Sequence, residues 1–372
     1  MNLKSRFVSY LTEKYPKLET NLLDPLISDQ LLSPFQVSLS TVQIKSIKKE
    51  ISSYWALRNW GEQNLVSKFD KYHLRKPANN AVCMSYDFHI NPAGDPELIE
   101  INTNASFLAL GLELYSFLKL PNPVGAFNEN ELIAMFQEEI RLCGGKENSV
   151  AIIDENPEGQ KLFSEFLIYK HLLLKHGIRS DIYDISAADE FKKFSLVYNR
   201  YTDFYLQEEK SSAIKELFNT NQLQLSPHPF EYFLLADKER LLDWNNQTEI
   251  EKPKSLLKTF DLGVEEKSEI WSQRKNLFFK PKHSFGGKQA YKGTSISRKV
   301  FDEVSNLNFI AQQLSAPALL KIEMDGQSLE MKYDLRCFAY KDKLQLIIAR
   351  IYQGQITNLK TPGGGFACIT SS

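Results

Sequence analysis

Four stretches of this chain carry residues that bind phosphate, metal or carboxylate at spacings where they could act together. The first is Glu97-Leu-Ile-Glu-Ile-Asn-Thr-Asn104. On a strand, Glu100 and Asn102 share one face while Ile99 and Ile101 share the other. A carboxylate and an amide oxygen two residues apart are hard oxygen donors. Mg2+ takes such donors together with water and substrate phosphates. A half-exposed strand with one polar face has the same pattern, and spacing alone favours that plainer reading.

The second stretch runs from Asn276 to Gln289. An apolar strand ends in Lys280, Pro281 ends its ladder, and Lys282, Gly286, Gly287 and Lys288 follow. Glycines let backbone N–H groups approach phosphate oxygens, and lysines neutralise the phosphate charge. The GxxxxGK[ST] spacing fails, because Lys282 stands at the first glycine position and Gln289 follows Lys288. A strand end with a solubilising lysine and a flexible hairpin is the plain alternative. The third stretch, Thr361-Pro-Gly-Gly-Gly-Phe366, offers consecutive N–H donors to an anion or oxyanion, or is a loose tail. The fourth set is Asp334, Arg336 and Arg350. If a hairpin turn centres on Asp342, Asp334 lies opposite Arg350. That placement gives either a cross-strand ion pair or a site where Arg recognises a substrate carboxylate.

The elements that must position these residues fall into three kinds. Residues 1 to about 75 show a helical rhythm through Phe7, Leu11, Leu22, Leu23, Leu26, Leu31 and Leu32. Val82 to Phe88 and Glu97 to Asn102 read as strands joined by the turn-rich Asn91–Pro96, and residues 107–119 read as a helix. From Ser149 the pattern is β-α-β: a strand at Val150–Ile153, a helix through Phe163, Phe166, Leu167, His171 and Leu174 closed by Gly177, and a strand at Ile178–Tyr183. Ser195–Tyr198 adds another strand. A helix is predicted over Phe230–Trp244, then a charged stretch over 245–272. Strands follow at Leu277–Lys280, Tyr333–Tyr340 and Leu344–Tyr352, the last two flanking Lys341-Asp-Lys343.

Composition removes several function classes. Lys and Arg total 45 against 46 Asp and Glu, a net charge of -1, which lacks the basic footprint of a nucleic-acid binder. Lys45, Lys48 and Lys49 sit at helical spacing and read as a solvated face. Cys83, Cys143, Cys337 and Cys368 form no CxxC pair and have no His at zinc-ligand spacing. The first fifteen residues lack the apolar core of a signal peptide. The longest apolar run, Phe107–Leu120, is broken by Glu113 and Lys119. No membrane partner is expected, and a reducing cytoplasm is the expected location.

Taken in order, the landmarks resemble the ATP-grasp superfamily, in the circularly permuted branch typified by eukaryotic glutathione synthetase. There an E-I-N-T strand lies in the first third of the chain, as Glu100-Ile-Asn-Thr103 does here, preceded by a strand carrying an acid, Asp87. A β-α-β lobe follows (Val150 to Ile182), then a strand ending in Arg (Val197 to Arg200), a lysine-bearing helix (Ala236 to Glu239) and a K-P strand with a glycine loop (Phe279 to Lys288). A hinge strand (Phe309 to Leu314) and a basic strand with a glycine-rich loop (Arg350 to Phe366) close the series. The resemblance covers most of the chain from residue 82 onward.

The resemblance implies an α/β (α+β) ATP-grasp fold with a small Rossmann-like β-α-β substrate lobe. Its divisions would be an N-terminal helical region (1–80), Mg-binding strands (81–120), the substrate lobe (121–230) and the ATP-binding part (231–372). ATP and Mg2+ would be the cofactors. Glu100 and Asn102 would bind the metal. Lys238, Lys280, Lys282 and Lys288 would hold the phosphates under the Gly286–Gly287 loop, and Gln312, Gln313 and Leu314 would meet the adenine edge through backbone groups. Arg336, Arg350, Gly364 and Gly365 would face the substrate and an acyl phosphate.

Three departures stand out. Ser284 stands near the family's metal-binding Glu, with Asp325, Glu330 and Asp334 as replacements. Ser85 stands where an Arg is expected, and a Gln replaces the hinge acid. The implied activity is ATP-dependent ligation of a carboxylate to an amine through an acyl phosphate, on an amino-acid or peptide substrate. An inactive nucleotide-binding module and an ATP-grasp kinase are the alternatives. A nicotinamide enzyme is disfavoured, because the turn at Asp154–Gln160 has one glycine and no GxGxxG. Relatives of this branch are often dimers, so a homodimer is implied, although no interface signature stands in the sequence.

Overall fold

The computed structural model describes residues 2–282, 290–324, 326–355, 357–358 and 360–372. In chain order its strands are β1 (Val37–Leu39), β2 (Met84–Ile90), β3 (Pro96–Asn102), β4 (Ser149–Asp154), β5 (Arg179–Asp184), β6 (Leu196–Asn199) and β7 (Leu225–Ser226). They continue with β8 (Thr259–Asp261), β9 (Leu277–Pro281), β10 (Tyr291–Lys292), β11 (Phe309–Gln313), β12 (Ala318–Met324), β13 (Gln327–Tyr340), β14 (Lys343–Tyr352) and β15 (Gly365–Ser371).

The largest sheet runs β1-β15-β14-β13-β2-β3. It joins strands from the first third of the chain to strands from the last. The long β13 serves two partners on one edge: β12 pairs with its first half, from Gln327 to Tyr333, and β2 with its second, from Leu335 to Ala339. One face of this sheet is apolar. The helix Thr41–Asn64, started by a Ser40–Gln43 capping box, lays Ile44, Ile47, Ile51 and Tyr54 in one core with Tyr86, Cys337, Ile347 and Ala349. On the other face the helix Leu108–Leu118 shares a core with Phe338, Leu346 and Ile348. Gly111 allows that close packing, since a Cβ there would stand 2.9 Å from Leu346 Cδ2. The remainder of this second face is polar and bears the site.

The β-α-β pattern folds as expected. β5-β4-β6-β7 form a parallel sheet, and the helix Phe163–Lys175 crosses from β4 to β5. A third, antiparallel sheet runs β10-β9-β11-β8 over a small core of Phe279, Phe301, Ile270 and Ala311.

The elements depart from or add to the sequence reading in three places. The helix expected over Phe230–Trp244 is two helices, Pro229–Leu235 and Glu239–Asn246. The break falls where Asp237 Oδ1 accepts the Glu239 N–H at 2.9 Å, a local side-chain bond that competes with helix continuation. The first 75 residues are mostly helical, as expected, but they add a short strand, β1, which joins the large sheet in parallel with β15. The glycine-rich C-terminus is no loose tail. Its residues Phe366, Ala367, Cys368 and Ile369 are buried between β1 and β14.

Candidate active site

The polar part of the large sheet, the end of β9 and the chain leaving β11 enclose a cleft of about 1140 Å3. Of the residues expected to act together, Glu100, Asn102, Lys238, Lys280, Gln312, Gln313, Leu314, Arg336 and Arg350 all line it. Among the described residues, eight lysines and arginines line the cleft against two carboxylates, Glu100 and Asp334. Such a surplus of cations in a concave, partly dry site favours a polyanionic occupant.

Strand register explains why these residues meet. Asp334 lies opposite Arg350, Arg336 opposite Asp87, Asp87 opposite Glu100 and Ser85 opposite Asn102. Side chains alternate along each strand, so these rungs put one polar face across four strands. Asp87 is wholly buried at the centre. It accepts Arg336 Nε at 3.1 Å and Nη2 at 2.8 Å, and Arg350 Nη2 at 2.9 Å. Burial alone would raise its pKa, but the two guanidiniums outweigh burial and hold the carboxyl at about 2. Arg350 also donates to Asp334 at 2.6 Å. The cross-strand ion pair therefore exists, and the same arginine still lines the cleft. Asp87 and Asp334 fix the two guanidiniums while leaving them at the surface of the site.

Glu100 and Asn102 lie together on the cleft face, with Asn102 Nδ2 at 3.4 Å from Glu100 Oε1 and 3.3 Å from Asp87 Oδ2. Of the replacements for a third metal ligand, Asp334 is engaged by Arg350 and by Thr357 Oγ1 at 2.5 Å. Glu330 is exposed on β13, and Asp325 and Ser284 lie outside the described residues. Among the described residues no group of three or more His, Cys, Asp and Glu is set to hold a metal. The donor set that remains, one carboxylate and one amide beside buried lysines, fits Mg2+ completed by phosphate oxygens and water.

Lys280 ends β9 with its ammonium inside the protein. It donates to Gln312 Oε1 at 2.7 Å and to the Ile99 carbonyl at 2.9 Å. Burial lowers its pKa, Glu100 opposes that effect and Lys238 adds to it, leaving the group at about 8. Lys238, at the start of the helix Glu239–Asn246, is likewise lowered by burial and partly restored by Glu100 and Asp237. Two lysines flanking one carboxylate in a buried setting suit a phosphate chain.

The apolar end of the cleft is formed by Ile99, Leu257, Phe278, Leu314 and Pro317. Here two of the expected backbone N–H groups are engaged within the protein. The Gln313 N–H bonds Lys258 O and the Leu314 N–H bonds Asn276 O, both at 2.8 Å. The Gln312 side chain is spent on Lys280. Ser315 and Ala316 follow, also lining the cleft. The Ser315 carbonyl accepts His89 Nδ1 at 3.1 Å, and buried Ser315 Oγ has no partner among the described residues. An orphaned buried hydroxyl beside an apolar slot is what the edge of a base would satisfy. The sequence signal for it was weak: a small polar residue where Pro317 ends the strand pattern.

Other expected residues lie apart. Lys282 does not line the cleft; its ammonium pairs with Asp261 at 2.8 Å. Gly364 donates its N–H to Thr361 O at 2.9 Å, closing a turn. Gly365, with φ +120°, packs where a Cβ would meet Gln30 O at 2.7 Å and Leu31 O at 2.8 Å. Neither glycine lines the cleft, so the triple glycine serves a close backbone approach here. Gly286, Gly287 and Lys288 lie outside the described residues. Two contributors were given no site role by the sequence. Arg200, at the end of β6, reaches the carbonyls of Asn104 and Ala105 and Ser106 Oγ, bracing the loop after β3. The segment Pro25–Leu31 lines the cleft from the N-terminal side.

No protein-family model and no curated protein matches the chain in sequence. Solved structures do match in shape. A glutathione synthetase-like effector from Globodera pallida, solved in its apo form, superposes with a TM-score of 0.54 at 11% identity, over 91% of this chain and 89% of that one. A putative gamma-glutamylcysteine synthetase from Methylobacillus flagellatus gives 0.45 at 11% identity, over 88% and 87%. The ATP-grasp ligase PsnB with its minimal precursor gives 0.31 at 11%, over 59% and 88%. The chain shares its fold with the glutathione synthetase-like effector. Its kind is mixed α/β, with the glutathione synthetase-like effector as a structural neighbour along nearly the whole chain.

Proposed function

We propose that this protein is an ATP-dependent ligase of the ATP-grasp type that joins a carboxylate to an amine. The observation that carries the reading is the convergence, in one cleft, of Lys238 and Lys280 beside Glu100 and Asn102, with Arg336 and Arg350 on the adjoining rungs. ATP, when bound, supplies the phosphoryl group that converts a substrate carboxylate into an acyl phosphate, and an amine then displaces phosphate. Lys238 and Lys280 hold the phosphate chain and spread its charge. Glu100 and Asn102 supply the protein donors for Mg2+. Arg336 and Arg350, fixed by Asp87 and Asp334, hold the substrate carboxylate and stabilise negative charge on its carbonyl oxygen. Ser315 and the chain after it read the base. We take the substrate to be an amino-acid or peptide carboxylate, a reading that the cationic lining of the cleft supports.

The test is a calorimetric titration with ATP, with and without Mg2+, followed by a screen of carboxylates with hydroxylamine as the trapping nucleophile. Binding that strengthens with Mg2+, together with hydroxamate formation, supports the ligase. Absence of ATP binding overturns it. A second reading, a nucleotide-binding module without turnover, is favoured by one observation: Asp334 is already engaged by Arg350 and Thr357. It predicts ATP binding indifferent to Mg2+. Among the described residues no helix is long and apolar enough to cross a membrane.

A further inference from the structure

The cleft extends past the nucleotide residues to a wall built from the N-terminal part of the chain. Pro25, Leu26, Ser28, Gln30 and Leu31 line it there. This wall is held by the last strand. The Phe366 N–H bonds Leu31 O at 2.8 Å, the Ser33 N–H bonds Phe366 O at 2.9 Å, and Ser33 Oγ bonds Gly363 O at 2.8 Å. Gly365 leaves no room for a side chain against Gln30 and Leu31. The wall adjoins the arginines, since Phe366 pairs with Arg350 in register. Phe366 also stacks on Phe107 at 3.6 Å, at the head of the helix that follows the Arg200-braced loop. The nucleobase end, by contrast, belongs to β9 and the chain after β11.

We propose that Pro25–Leu31 walls a second compartment of the cleft, beyond the nucleotide, that receives the body of the carboxylate substrate. The segment presents Pro, Leu, Ser and Gln to the cleft and no charged side chain. The part of the substrate lying on it is therefore uncharged, with an apolar surface for Leu26 and Leu31 and hydrogen-bonding groups for Ser28 and Gln30. The inference rests on the ligase reading and deepens it.

Thiol labelling tests it without a known substrate. Gln30→Cys and, separately, Gln313→Cys are made in a Cys143→Ser background, because the other three cysteines are buried. Each is labelled with N-ethylmaleimide, with and without saturating Mg-ATP. Gln30→Cys reacts readily and ATP slows it less than about twofold, whereas Gln313→Cys is slowed roughly tenfold or more. Protection of Gln30→Cys equal to that of Gln313→Cys places the segment at the nucleotide and overturns the inference. An unreactive Gln30→Cys in a folded variant also overturns it, because the wall would then be closed to solvent. If ATP protects neither position, the ligase reading itself fails.

Discussion

The Lys280 ammonium donates to Gln312 Oε1 at 2.7 Å, across the neighbouring strands β9 and β11. The partner is a neutral amide, and the carboxylate that acts most strongly on the lysine is Glu100. Burial therefore pulls Lys280 well below the ordinary lysine value of 10.5, to about 8. The charged form is complete below roughly pH 7 and is lost as pH rises through about 8. ATP affinity should be flat near neutral pH and fall by about tenfold, ~1.4 kcal/mol, by pH 9.5. Gln312→Glu should move that fall to higher pH, because a carboxylate in contact holds the proton. Calorimetric titration across the range checks both, and a flat profile in the parent would remove Lys280 from the phosphate site.

Lys280 and Lys282 lie two residues apart yet meet different surroundings. Lys280→Ala should weaken ATP binding at least about tenfold. Lys282→Ala should leave it within about twofold, since Lys282 is paired with Asp261 away from the cleft. Equal losses in the two variants would contradict the placement.

Glu100 contributes the single carboxylate of the metal pair. Glu100→Gln should abolish the enhancement of ATP binding by Mg2+ while leaving Mg-free binding nearly unchanged. Loss of both in parallel would assign Glu100 a structural role through its contact with Asn102.

Asp87 satisfies two guanidiniums from the interior of the sheet. Asp87→Asn leaves Arg336 and Arg350 without their shared counter-ion. It should cost about 3–5 kcal/mol of stability, as removal of one partner of a buried ion pair does. Denaturant unfolding measures it, and a change under about 1 kcal/mol would mean that solvent already screens the pair.

Gly365 occupies left-handed backbone against Gln30 and Leu31. Gly365→Ala should destabilise the protein by about 1–3 kcal/mol. It should also increase hydrogen exchange at Phe366, whose N–H bonds Leu31 O. Unaltered exchange there would show that the N-terminal wall tolerates the extra methyl group.

Much of this arrangement was legible in the sequence. The period-2 alternation around Glu100 and Asn102, the Lys280-Pro281 strand end and the Asp342 turn each fixed a local geometry. Asp334 does meet Arg350, although the turn is Lys341–Asp342 between paired Tyr340 and Lys343, and a bulge between Phe338 and Ala339 brings the two residues into register. The β-α-β unit was equally plain, because an apolar run, a helical stripe and Gly177 follow one another there. What stayed hidden was set by long-range pairing. Nothing local in Val37–Leu39 announces a strand whose partner lies at Ile369–Ser371. Three adjacent glycines suggest anion binding as readily as a socket for Gln30 and Leu31. Ser315 carries no motif; only its burial without a partner among the described residues draws attention to it.

The pairing of β1 with β15 also bears on how the chain comes off the ribosome. The strand that receives β1 is made more than three hundred residues later than β1 itself. Until Gly365–Ser371 emerge, the segment Pro25–Leu39 has no sheet edge to join, and the cleft lacks one wall. The β-α-β lobe pairs its strands locally and can form during synthesis. The site between lobes cannot. Nascent chains of this protein would therefore carry an unfinished cleft, with apolar Val37 and Leu39 uncovered, through most of translation.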